Sequence, residues 1–159
     1  MDPLEATDTP LGTLYTFGYG SLPGAAALEA LRGDEPIDIV FDVRYMPTGR
    51  NPLWRPGAVA LTVKQGGIPE YRHVKALGNP DYKSHLPASR VLDKDEGLAL
   101  LFDYLDAGRN VALMCVCKTT AGCHRRLIVA MAREEKPGLR VVELEVDKDD
   151  PSGRKVIRT

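Results

Sequence analysis

The stretch NVALMCVCKTTAGCHRRLIVAMAREEKPG, residues 110–138, decides the fold. Its opening, Asn110 to Cys117, is almost wholly apolar, as a strand buried on both faces must be. From Cys123 onward the pattern turns helical, closed by Pro137 and Gly138. A doubly buried strand running into a helix belongs to a parallel sheet with helices on both faces.

The neighbouring segments repeat the alternation. Thr13 to Gly20 is β-branched and aromatic and ends in glycines, a strand entering a tight turn. Ala25 to Gly33 has the residues and closing glycine of a short helix. Ile37 to Arg44 is a second buried strand, and the loop after it, Tyr45 to Gly57, is broken by prolines and glycines. A helix is expected over Ala58 to Gly67, a short strand over Glu70 to Val74 and a loop over Asn79 to Lys94. Leu98, Leu101, Phe102 and Leu105 recur at helical spacing, with acids in the first turn and Gly108 after the last of them. Leu139 to Val146 supplies the final strand.

Five strands alternating with four helices predict a three-layer α/β/α fold of the Rossmann-like kind, with a mostly parallel five-stranded sheet. The whole chain, residues 1–159, is expected to be one domain, with flexible tails over 1–12 and 147–159. In open parallel sheets the ligand crevice lies beyond the carboxyl ends of the strands. Here those positions hold Gly18, Tyr19, Gly20 and Ser21, then Asp42, Arg44 and Arg50, then His73, then Cys115, Cys117 and Cys123. Every chemically interesting group is predicted to fall at one sheet edge, where strand ends two and four open onto a shared positive hollow.

All three cysteines lie within nine residues of one another. A loop from Val116 to Gly122 followed by a helix start forms an anion cradle of backbone N–H groups, with Thr119 or Thr120 as the cap. A thiol there feels the positive helix end together with Lys118, Arg125 or Arg126, all of which favour the thiolate. Cys115, Cys117 and Cys123 are therefore candidate nucleophiles, against the alternative that Cys115 is a small core residue. Cys115, Cys117, Cys123 and His124 offer a Cys3His zinc set, but the spacing C-x-C-x5-C-H matches no common zinc knuckle, and no metal is expected. Cys117 and Cys123, bracketing a loop with a glycine, form a possible redox pair. A phosphatase loop with arginine six positions after cysteine is absent, since Arg125 stands too far from Cys117.

Asp42 and Arg44, spaced by two at a strand end, point to one side of the sheet. Arginine offers a planar fork for phosphate or carboxylate, and Asp42 either orients it or acts as a base; the alternative is an ordinary ion pair tying loop to sheet. Arg50 follows a glycine and is placed to act as a mobile clamp. Gly18, Tyr19 and Ser21 line the glycine-rich turn, where Ser21 alternatively caps the next helix.

The stretches TFGYGS, DVRYMPTGRNP, IPEYRHVKALG and LMCVCKTTAGCHRRLIVA, together with the C…CHR ending, resemble the family known as domain of unknown function 488. The resemblance covers residues 13–135. It implies a three-layer α/β fold and matches Gly18, Ser21, Asp42, Arg44, Arg50, Cys115, Cys123, His124 and Arg125. Cys117 stands where the family commonly has glutamate, so any chemistry of that acid is altered here. The family's name concedes that no activity is settled.

Net charge is -1, but an uneven distribution lies beneath it. Between Val43 and Arg90 eight Lys or Arg (Arg44, Arg50, Arg55, Lys64, Arg72, Lys75, Lys83, Arg90) face two acids, Glu70 and Asp81. No apolar run approaches the roughly 20 residues that span a bilayer, and the start of the chain is acidic and proline-bearing, so a cytoplasmic protein without membrane partners is expected.

Two functions follow. One is an enzyme that binds an anionic small molecule, a nucleotide, phosphate or sulfur compound, and acts on it by thiol-based transfer or hydrolysis. Cys115 or Cys123 is then the nucleophile, His124 or Asp42 the acid-base partner, and Arg44, Arg50 and Arg125 the anion clamp. The other is a nucleic-acid-binding module that uses the basic middle with Tyr45, Trp54, Tyr71 and Tyr82. A pI near 6.3 weighs against the second.

Overall fold

The computed structural model describes residues 9–18, 36–47, 52–82, 90–115, 123–146 and 156–158. Among the described residues there are six strands: β1 (Leu14–Gly18), β2 (Ile39–Asp42), β3 (Glu70–His73), β4 (Val111–Cys115), β5 (Val141–Val146) and β6 (Val156–Arg158). Three described helices accompany them: α1 (Val59–Gln65), α2 (Lys94–Leu105) and α3 (Arg125–Glu135). The expected helix over Ala25 to Gly33 lies outside the described residues.

The strands form one sheet in the order β3-β2-β4-β1-β5-β6. The five strands that the sequence predicts pair in parallel throughout, and β6 adds to β5 antiparallel. That last strand corrects the expectation of a wholly flexible tail over 147–159. At the other end, residues 9–12 are likewise described, and Gly12 N–H donates to the Leu105 carbonyl at 2.9 Å.

Side chains alternate across the pleat and build two cores. On face A, Leu14, Ile39, Phe41, Val111 and Leu113 meet Leu98, Leu101 and Leu105 of α2 and Ile128 and Ala132 of α3. On face B, Phe17, Val40, Ala112 and Met114 meet Val59 and Val63 of α1, with Trp54 and Ile68. The middle layer is thus covered on both sides. The loop expected over Tyr45 to Gly57 contains a 3-10 turn, Pro52–Trp54, that sets the Trp54 ring into the face B core at 1% exposure.

Handedness explains which helix goes where. The step from β2 to β3 moves toward one edge and carries α1 on face B. The steps from β3 to β4 and from β4 to β5 move the opposite way and carry α2 and α3 on face A. Right-handed crossovers require this reversal of face with direction. Adjacent strands β2 and β4 consequently send their chains to opposite faces, and such a divergence opens a crevice at their carboxyl ends.

Candidate functional site

β4 ends at Cys115, whose register partner on β1 is Gly18. Alternation puts the Cys115 side chain on face A, as its place in that core confirms. The chain returns at Cys123, and α3 begins at Arg125 with His124 as its N-cap. The expected cap by Thr119 or Thr120 is corrected, because the helix begins further along and His124 provides no side-chain cap.

The structure brings Cys115, Cys123, His124 and Arg125 together. The Sγ atoms of Cys115 and Cys123 lie 3.0 Å apart, with no disulfide between them. Cys123 Sγ accepts from Arg125 Nε at 3.4 Å and stands 3.7 Å from His124 Nδ1. His124 Nε2 lies 2.7 Å from the Val43 carbonyl oxygen, just past the end of β2. A carbonyl only accepts, so Nε2 carries a hydrogen, which leaves Nδ1 as the ring nitrogen that faces the thiol. Arg125, 1% exposed, also donates from Nη1 to Thr16 Oγ1 at 2.6 Å. A guanidinium in that position favours a negative sulfur beside it.

Asp42 and Arg44 make a second cluster. Asp42, fully buried, accepts from Arg44 Nε at 2.8 Å on Oδ1 and from Arg44 Nη2 at 2.6 Å on Oδ2. Arg44 N–H adds a bond to Oδ1 at 3.2 Å, and the Tyr71 hydroxyl donates to Oδ2 at 2.5 Å. Arg44 Nη1 donates to the Trp54 carbonyl at 2.7 Å, and His73 Nε2 to the Arg44 carbonyl at 2.6 Å. The carboxylate is occupied by the fork, so here it orients Arg44.

By alternation with Val40, Asp42 faces side B, with Tyr71 and Trp54 about it. The thiol cluster faces side A. The expected single hollow therefore divides into two clusters back to back at the ends of β2 and β4, with the Arg44 guanidinium on the face away from Cys123. Val43 links them: its N–H donates to the Met114 carbonyl at 3.0 Å, and its own carbonyl receives His124. Tyr19, Ser21, Arg50, Cys117 and Lys118 lie outside the described residues.

Thr16 was not read from sequence as a site residue, and Tyr71 was read only as a stacking ring for nucleic acid. Thr16 holds Arg125, and its signal was a small hydroxyl residue in a largely apolar strand, two positions from Gly18. Tyr71 closes the Asp42 cluster, but its partner lies on another strand, which no local pattern encodes. Among the described residues, no three His, Cys, Asp or Glu side chains converge as a metal site. A cleft of about 380 Å³, lined by Arg72, Leu100, Asp103, Tyr104, Ala107 and Arg109, holds none of these groups.

With this geometry in hand, the match to known families is direct. The domain of unknown function DUF488 matches residues 25–132. The chain belongs to the DUF488 family. Within that match lie Asp42, Arg44, Cys115, Cys123, His124 and Arg125, with Thr16 outside it. No match to this DUF488 member is found among curated proteins or among solved structures. Among its described residues no helix is long and apolar enough to cross a membrane.

Proposed function

We propose that this protein is a thiol-dependent enzyme that binds a small anionic molecule beside α3 and attacks it through Cys123. The observation that carries the reading is the surroundings of one sulfur atom: Arg125 Nε–H at 3.4 Å and His124 Nδ1 at 3.7 Å. His124 takes the thiol proton, and Arg125 steadies the resulting thiolate. The thiolate adds to an electron-poor centre, the leaving group departs with the proton held by His124, and a second nucleophile or water releases the product. Those steps make up transfer or hydrolysis. Arg125, held by Thr16 and so unable to swing away, gives the site its preference for negative substrates.

A nucleic-acid-binding role has weaker support. Trp54 is in the core and Tyr71 is bonded to Asp42, so two of the four expected stacking rings are committed. Arg44 is bound to Asp42 as well.

Alkylation tests the thiolate. In the folded protein, iodoacetate is expected to label Cys123 before Cys115 or Cys117, and its rate relative to neutral iodoacetamide should exceed that of free cysteine. Phosphate or sulfate should protect. Arg125→Gln should lower the iodoacetate rate about tenfold, on the order of what the loss of one charge-assisted hydrogen bond implies. Cys123 reacting no faster than an ordinary thiol would sink the proposal.

A further inference from the structure

Cys115 has no task in the mechanism above, yet its sulfur lies 3.0 Å from that of the nucleophile, Cys123 Sγ. A disulfide requires about 2.05 Å, so an approach of about 1 Å makes the bond. Both sulfurs point into face A, one from the end of β4 and one from the residue before the α3 cap. Arg125 Nε and His124 Nδ1 stand beside Cys123 Sγ, while Cys115 is the last residue of β4. That asymmetry separates an attacking sulfur from one that waits.

We propose that Cys115 is a resolving cysteine, and that the pair reduces small hydroperoxides while passing through a Cys115–Cys123 disulfide. The inference rests on the thiolate reading of Cys123. Burial sets the oxidant's size: at 3% exposure Cys123 admits a molecule such as hydrogen peroxide more readily than a bulky disulfide. In the first step the Cys123 thiolate attacks one peroxide oxygen. The S–O bond forms, the O–O bond breaks, and the departing hydroxide takes the proton held on His124 and leaves as water. Cys123 is now a sulfenic acid. In the second step the Cys115 sulfur attacks Cys123 Sγ, the S–S bond forms and the S–O bond breaks. The hydroxide released combines with the Cys115 proton as a second water. Two thiols and one peroxide thus become one disulfide and two waters, and an external dithiol restores the pair.

The experiment treats the full chain with one equivalent of hydrogen peroxide and follows intact mass and tryptic peptides. The wild type should lose two hydrogens reversibly, with Cys115 joined to Cys123, and Cys117→Ser should form the same bond. Cys115→Ser should stop at a sulfenic acid on Cys123 that dimedone captures. With dithiothreitol in excess, the wild type should consume peroxide repeatedly, and Cys123→Ser should not. A Cys117–Cys123 bond, or a wild type that halts at sulfenic or sulfinic acid, overturns the resolving role while leaving the thiolate reading intact. A Cys123 inert to both peroxide and iodoacetate overturns both.

Discussion

Tyr71 donates its hydroxyl hydrogen to Asp42 Oδ2, and that contact ties the protein's alkaline behaviour to the buried carboxylate. Burial, then the negative charge of Asp42, then the hydrogen bond itself push the phenol well above its ordinary range. A phenol whose folded value is raised keeps its proton in the native state after the unfolded chain has begun to lose it. Its contribution is therefore complete below about pH 10, the unfolded value, and is lost as pH climbs toward the folded one. Tyr71→Phe should lower stability at pH 8 by about 1 kcal/mol, one hydrogen bond. The variant should also lose less stability than wild type between pH 9 and 11, as measured by urea unfolding at each pH. Equal alkaline slopes would contradict this account. The Asp42–Arg44 pair was legible from its spacing of two at a strand end. Its isolation from Cys123 was not, because alternation across β2 and β4 decides it, and that needs their register. The clustering of Cys123, His124 and Arg125 could be read directly, since adjacent residues at a helix start stay near one another in any fold.

α2 shows where local propensity and packing oppose each other. Its N-cap Asp93 accepts from Glu96 N–H at 3.1 Å, and the apolar spacing of Leu98, Leu101, Phe102 and Leu105 carries it into face A. The cap fell in the stretch read as loop, up to Lys94, whereas the spacing was legible. Gly97 was not, because its cause is a different element, the 3-10 turn Lys75–Leu77. A Cβ at Gly97 would stand 2.3 Å from Leu77 Cδ2, and Leu77 is fully buried. Alanine gains about 1 kcal/mol of helix propensity over glycine, whereas overpacking a filled core costs about 1–3 kcal/mol. Packing outweighs propensity here. Gly97→Ala should lower the thermal midpoint in calorimetry despite being the better helix former, and pairing it with Leu77→Val should recover part of the loss. A Gly97→Ala protein more stable than wild type would show that α2 can shift away from the turn. The α3 start was placed too early for a related reason: cysteine and histidine carry little helix signal, and the first helical residue is Arg125.

Across the whole molecule, alternation of apolar strands with amphipathic segments was enough to predict a three-layer, mostly parallel sheet. Strand order was beyond it, since β4 inserts between β2 and β1 through contacts far apart in the chain. β6 was missed because three residues after an acidic, proline-bearing run offer too short a pattern; only β5's open edge makes them a strand. That edge has a consequence. β5 pairs on one side with β1 and on the other with β6, so removing β6 leaves a row of unpaired backbone groups on a strand whose Val142 and Leu144 are in the core. Exposed edges of this kind template association between copies. The thiol cluster stands on β4 and α3, with Thr16 of β1 holding Arg125, so β5 separates it from β6. A chain ending at Val146 should therefore keep the iodoacetate reactivity of Cys123 within about twofold while forming concentration-dependent oligomers, seen by light scattering, that the full chain does not form. Loss of Cys123 reactivity in a monomeric truncated chain would mean that the carboxyl-terminal strand supports the site directly, and that the sheet transmits more than its order implies.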